Sequence, residues 1–265
     1  MKEKERVVFF LRDGLSAAEK ERMAAYGADM NKYLDSGNEA RIKKAYETRD
    51  PRLQMAVITP YAQYNGASSG IAHTYTLRWP YRGSDSAEPF DIRTDTNDKF
   101  YYLWRKFVPE GLEQTERDTY GLDIPLIRYA EVLLLKAEAL NEWGSTHESE
   151  AIRCVNEVRR RAGHVELNNA TYPATKVNGQ SDLRERIRNE YYWEIGGEDS
   201  MYFHELRWGT WKDKKFDNNR NGLMQMWGET TYTWYWLGDQ CWSWPIPAKE
   251  MEMNSNLEQN EGWIN

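Results

Sequence analysis

The residues of this chain best suited to chemistry with a ligand are aromatic side chains set beside polar ones. Tyr64-Asn65, Trp79, Tyr81-Arg82 and Trp104-Arg105 fall in a stretch punctuated by Pro, Gly, Ser, Asp and Asn. A pyranose ring has apolar C–H faces and a belt of hydroxyls. An indole or phenol stacks on the face while Asn, Arg or Lys bonds the belt, and a rigid ring loses little entropy on binding. Tyr64, Trp79, Tyr81, Arg82 and Trp104 are therefore the candidate ligand-binding residues, chosen for their chemistry and their place in loops. The tail aromatics Trp234, Tyr235, Trp236, Trp242 and Trp244 are expected to pack in the core.

Other chemistries find less support. A glycosidase needs two carboxyl groups roughly 5–9.5 Å apart, one with a raised pKa. Glu194, Glu198 and Asp199 cluster around Gly196-Gly197, but acids at a helix end are usually solvated, and no catalytic residue is assigned. His73, His147, His164 and His204 share no ligand spacing, and His204-Glu205 lacks the second histidine of a zinc-protease helix. No metal site, cofactor or phosphate loop is expected. Arg159-Arg160-Arg161 reads as a solvated helix face, since the same helix carries Glu148, Glu150 and Glu157. With 35 basic and 42 acidic residues the net charge is −7, which argues against a nucleic-acid partner. Cys154 and Cys241 are expected to be free thiols, although one bond between them is possible.

The elements that must position these residues follow from periodicity. Ser16-Ala-Ala-Glu19 is a capping-box pattern, and a helix from about Asn38 carries Ile42, Ala45 and Tyr46 until Asp50-Pro51. Leu53, Met55, Val57 and Ile58 suggest a short strand, and residues 52–121 are loop-rich. Leu126, Ala130, Leu133, Ala137 and Leu140 line one face of a helix that has Pro125 in its first turn and ends at Gly144. Ser145-Thr-His-Glu148 reads as a capping box for a second helix with Ala151, Val155, Val158 and Ala162 on its inner face. Glu157 can pair there with Arg153 and Arg161. The two helices make an αα-hairpin close in length to a tetratricopeptide repeat. Helices follow at about Leu183–Ile195 and Asp199–Trp208. Residues 209–240 read as irregular, and Trp242-Ser-Trp-Pro-Ile-Pro as extended. The fold class is mainly α, with tetratricopeptide-like αα-hairpins packed with a long loop-rich aromatic region and a few short strands. Aromatic residues make up 14% of the chain, with 12 Trp and 17 Tyr, enough to supply a core that is short of aliphatics.

Four segments in order carry a family resemblance. They are Arg49-Asp-Pro-Arg-Leu53, the run from Arg128-Tyr-Ala-Glu131 to Glu142, Asn156-Glu-Val-Arg-Arg-Arg-Ala-Gly163, and Pro245-Ile-Pro-Ala-Lys-Glu250 through Asn254, Leu257, Gln259-Asn260 and Gly262-Trp263. Together they resemble the C-terminal half of the SusD/RagB family of outer-membrane nutrient-binding lipoproteins. The chain departs from the family where Met201 and His204 replace an Arg and an Asp that often pair, and where Ser255 and Glu261 replace common prolines.

The resemblance implies a non-catalytic subunit that binds oligosaccharide or polysaccharide at the cell surface. It would serve a SusC/RagA-type TonB-dependent outer-membrane transporter. It implies that residues 1–265 are the C-terminal portion of the parent protein, with a helical lead-in (1–50), a loop-rich segment (51–121), helical hairpins (122–210) and an irregular tail (211–265). The parent would be held at the outer membrane by a lipid anchor. In this chain Lys2 to Arg6 and the short apolar run Val7 to Leu11 do not make a signal peptide, and no lipidated cysteine is expected. Two other readings stand beside this one: a helical scaffold that binds only its transporter partner, and a binder of a non-glycan nutrient such as peptide.

Overall fold

The computed structural model describes residues 46, 49–59, 62–68, 71–77, 91–92, 103–111, 123–198, 200–216 and 236–263. The expected helices near Ser16 and Asn38 lie outside these residues, apart from helical Tyr46. The chain divides into two compact units, with the boundary after Met201. It is mainly helical with a few short strands, as the periodicity predicts.

In the first unit, α1 (Pro51–Ala56) stands where alternation suggests a strand, and only β1 (Val57–Ile58) is extended. Asp50 caps α1 by accepting the Arg52 N–H at 2.9 Å, and Pro51 sits at the first helical position. Both are helix-start signals that outweigh the alternation. β1 pairs antiparallel with β5 (Leu103–Trp104), with Val57 opposite Trp104. A regular antiparallel hairpin, β2 (Gln63–Ser68) with β3 (Ile71–Leu77), occupies part of the segment read as loop, and β3 runs parallel to β4 (Asp91–Ile92).

The αα-hairpin is α2 (Tyr129–Trp143) and α3 (Glu148–Arg161), and both pack on α4 (Gln180–Ile195). Leu133, Leu134, Ala137 and Leu140 of α2 meet Ala151, Cys154, Val155 and Val158 of α3 and Leu183, Ile187, Tyr191 and Ile195 of α4 in one buried core. Each such Leu or Ile contributes about 1.5–3 kcal/mol by leaving water.

Two expected helix starts are displaced. α2 begins at Tyr129 rather than near Pro125, because Arg128 is held extended (φ −112°, ψ 152°) by the acidic groups it reaches. Leu126, expected on the inner face, is therefore 88% exposed. Ser145–His147 forms a 3-10 turn and Ser145 caps nothing, so the capping box is not made.

Side chains bind backbone where strands and helices leave it unpaired. Asn156 donates to the Leu167 carbonyl (3.2 Å) and accepts its N–H (2.7 Å). In the second unit Gln259 brackets Ile246 in the same way (2.9 and 2.7 Å). That unit carries most of α5 (Ser200–Arg207), then α6 (Trp211–Phe216) and α7 (Ala248–Met253). α6 stands inside the span read as irregular. Both cysteines are free. No described helix is long and apolar enough to cross a membrane.

Candidate functional site

The first unit is organised around a cluster of charges. Arg52 donates to Asp50 (2.7 and 3.0 Å), Glu190 (2.8 Å) and Glu194 (3.2 Å). Arg128 donates to Glu194 (3.0 Å) and Glu198 (2.6 and 2.9 Å). Arg161 reaches Glu194 at 2.5 Å, Arg159 lies 3.6 Å from Glu190, and Lys106 pairs with Glu198.

The arginine triplet is a solvated face only at Arg160 and Arg161, whose side chains are 65% and 59% exposed. Arg159 is buried, Arg161 turns to Glu194 and Arg160 to Glu166, while Arg153 pairs with Glu150 rather than Glu157. Burial raises the pKa of Asp50 and Glu194, but Arg52 on Asp50 and Arg128 on Glu194 outweigh it and hold both below the usual carboxylate range. Burial pushes Glu190 up, yet its side chain is fully enclosed. None of these groups offers a substrate an accessible acid of raised pKa. Asp199 lies outside the described residues.

The charge cluster positions an aromatic ledge. Lys106 Nζ donates to the carbonyls of Glu194 (2.9 Å) and Gly196 (3.2 Å), and Arg128 also donates to the Glu194 carbonyl (2.9 Å). Two cations thus close the C-terminus of α4, where the helix dipole favours them. This fixes the Gly196-Gly197 turn, and the Trp104 ring lies on it. Gly197 has φ +82°, and a Cβ there would come within 2.7 Å of Trp104 Cζ3. Trp104 remains 45% exposed. Gly197→Ala is expected to destabilise the fold by about 1–2 kcal/mol through the left-handed backbone alone and to push the ring off its support. A lowered melting temperature together with shifted tryptophan emission would show both effects.

Tyr64 belongs to the same assembly. Arg105 donates to the carbonyls of Gln54 (3.0 Å) and Gln63 and pairs with Glu110 at 2.5 Å. Glu110 accepts the Asn65 N–H (3.2 Å), and the Tyr64 hydroxyl donates to the Pro109 carbonyl (2.7 Å). Burial, with Glu110 nearby, raises the Tyr64 pKa, so the phenol stays protonated. Tyr64 faces Tyr75 across the hairpin, and Gly66 faces His73. Both tyrosine rings lean over Gly66, where a Cβ would meet Tyr75 at 2.9 Å and Tyr64 at 3.0 Å. Tyr75 and His73 extend the aromatic face beyond the residues singled out in the sequence. Their signal is a period-2 match, Tyr64-x-Gly66 against His73-x-Tyr75.

Tyr64 and Trp104 thus stand on strands tied through Arg105. Trp79, Tyr81 and Arg82 lie outside the described residues. Among the described residues no group of His, Cys, Asp and Glu is arranged to hold a metal ion. Of the tail aromatics, Trp244 is exposed rather than in the core, because its neighbours Pro245 and Pro247 keep the chain extended at the surface. Trp236 and Trp242 are half-buried, and Trp234 and Tyr235 lie outside the described residues.

The motif residues Asp50, Arg52, Arg128, Asn156 and Gln259 thus hold the fold together in the order the resemblance requires. A SusD family pattern matches residues 13–263. This chain belongs to the SusD family. It is 32% identical over 139 residues to SusD-like protein P38 of Formosa agariphila, an alignment covering 52% of this chain and 24% of that protein. It is 28% identical over 161 residues to the starch-binding protein SusD of Bacteroides thetaiotaomicron, covering 60% and 25%.

A solved SusD-like protein of Bacteroides fragilis superposes with a TM-score of 0.57 at 23% identity, over 83% of this chain and 40% of that one. A SusD homologue of Bacteroides thetaiotaomicron superposes with a TM-score of 0.52 at 22% identity, over 87% and 42%. These two likenesses establish the fold. The aligned region spans about a quarter of the curated relatives' length.

Proposed function

We propose that this chain is the glycan-binding portion of a non-catalytic outer-membrane nutrient-uptake protein, which hands oligosaccharides to a SusC/RagA-type TonB-dependent transporter. The observation that carries the reading is the Trp104 ring, half open to solvent and laid on a glycine turn that two cations lock in place. A sugar face stacks there at little entropic cost, because the platform is already ordered. Arg105, Glu110 and Asn65 supply polar groups alongside, and Tyr64 with Tyr75 extends the surface. Trp79, Tyr81 and Arg82 are proposed, on their chemistry alone, to contact the ligand as well. Family membership and the starch-binding relative support the sugar class, and they support placement of the parent protein at the cell surface.

Titration of the chain with amylopectin, xylan and laminarin, read by tryptophan fluorescence, tests this. Saturable quenching is expected, and Trp104→Ala should weaken it at least about thirtyfold, as for other central aromatic anchors. A flat titration in wild type would favour the protein-scaffold reading. One observation supports that second reading directly: Ile124, Leu126, Ile127 and Tyr129 are closely spaced exposed apolar residues on the approach to α2.

A further inference from the structure

The second unit contains a built arrangement of rings and charges around one short turn. The 3-10 turn Asp239–Trp242 presents the Asp239 carboxylate with 78% of its side chain exposed. Oδ1 accepts from Lys212 Nζ (3.1 Å) and from Trp236 Nε1 (3.3 Å). The Lys212 ammonium lies 5.3 Å from the centroid of the Trp236 ring. The Trp236 and Trp242 rings are 5.1 Å apart and tilted by 59°.

The turn is fixed from beneath. Trp263 Nε1 donates to the carbonyls of Gln240 (3.1 Å) and Ser243 (2.9 Å). Just beyond it, Trp244 is 71% exposed, with its indole N–H committed to the Tyr202 hydroxyl at 2.9 Å. Tyr202 is in turn braced edge-on by Trp211, at 4.9 Å and 88°. The exposed indole is thus held in one orientation before any ligand arrives.

We propose that Trp236, Trp242, Asp239 and Lys212 form a second glycan-binding site, borne by this unit alone, with Trp244 as an outlying stacking platform. A packing cluster has no use for an open carboxylate, and a surface ion pair has no use for two indoles. A sugar uses both. The ring faces take its C–H surface. Of the carboxylate's about four acceptor positions two are taken by Lys212 and Trp236, which leaves Oδ2 for hydroxyl protons, and Lys212 has three protons of which one is committed. The side chains carry one negative and one positive charge, so the site suits a neutral hexose polymer rather than a uronic acid. The sugar class rests on the proposed glycan-binding function, whereas the site rests on the geometry of this turn.

The test uses the full chain and its Asp239→Ala, Trp242→Ala, Trp242→Phe and Trp104→Ala variants, with amylopectin, xylan, laminarin and polygalacturonate as probes. Retention in polysaccharide-containing gels and tryptophan quenching are the readouts. Asp239→Ala and Trp242→Ala are each expected to weaken binding of a neutral polysaccharide about tenfold, with Trp242→Phe losing less. Trp104→Ala should weaken it independently.

Asp239 is exposed, so its variant decides the matter alone should circular dichroism show Trp242→Ala unfolded. If both second-unit variants bind like wild type while Trp104→Ala fails, this site is overturned and the first survives. If only the second-unit variants lose binding, the first site is overturned instead. Preferential retention by polygalacturonate overturns the neutral-sugar assignment. Wild type that binds none of the four overturns both sites.

Discussion

Arg52→Met is expected to lower the unfolding free energy by about 3–5 kcal/mol, the usual effect of removing one partner from a buried ion cluster. Arg52 is the common donor to Asp50, Glu190 and Glu194, and all four side chains are nearly or wholly enclosed. Methionine fills much of the volume but leaves three carboxylates short of a cation in a site where water cannot replace it. The carboxylates would take up protons or the cluster would open. Either event frees α1 from α4. For a chain of this size such a loss lowers the melting temperature by about 10 °C. The matched control is Arg160→Met, whose pair with Glu166 lies at the surface and whose removal should change stability by less than about 1 kcal/mol. Equal stability of Arg52→Met and wild type would show that the cluster does not hold the two elements together.

The same residues explain what is legible in the sequence. The motif positions that carry the family resemblance each have a fixed structural role, Asp50 and Arg52 in the cluster, Asn156 and Gln259 on unpaired backbone. Such roles demand strict residue types at strict spacings. The helices α2, α3 and α4 are readable because each buries a stripe at 3.6-residue spacing. Their charges are not, because Arg159 meets Glu190 and Arg161 meets Glu194 across helices, and no local pattern records such a pairing.

α1 reads as a strand because Leu53, Met55 and Val57 alternate by chance, while the Asp-Pro start signal also marks the end of the preceding helix. The hairpin β2–β3 is hidden by Gly66 and by Ser, Thr and His positions that blur its alternation. Trp104 stands out for its chemistry, but its support on Gly197 depends on two segments more than 90 residues apart in sequence. The turn around Asp239 has no sequence signal of its own, because a tryptophan-rich tail reads as core, whereas Trp244 is exposed and Trp236 and Trp242 are half-buried.

Acid is expected to weaken this fold well before ordinary carboxylates titrate, and His164 is the reason. Its ring is buried against Trp193, with centroids 5.5 Å apart, and accepts from Arg159 Nε at Nδ1 (3.3 Å). Burial, with Arg159 adding to it, brings its pKa down to about 4 from an ordinary 6.5. Asp50 faces Nε2 at 3.5 Å and pulls the other way, but it is already engaged by Arg52. The folded state therefore keeps the imidazole neutral where the unfolded chain would protonate it. Between pH 6.5 and about 4 the unfolded state binds more protons, so stability falls as pH falls across that window. The full shift amounts to about 3 kcal/mol. Below it the depressed carboxylates Asp50 and Glu194 continue the loss as they protonate through their folded pKa values. Glu190, raised by burial, takes up its proton earlier in the folded state and so offsets part of the decline above its ordinary 4.5, inside the same window as His164. Urea unfolding measured at half-unit steps from about pH 7 to 4 should show the decline. His164→Gln, which keeps an acceptor for Arg159 and cannot titrate, should remove most of it above about pH 4.5 while leaving the steeper loss below. An unchanged slope in that variant would assign the acid sensitivity to the carboxylates instead.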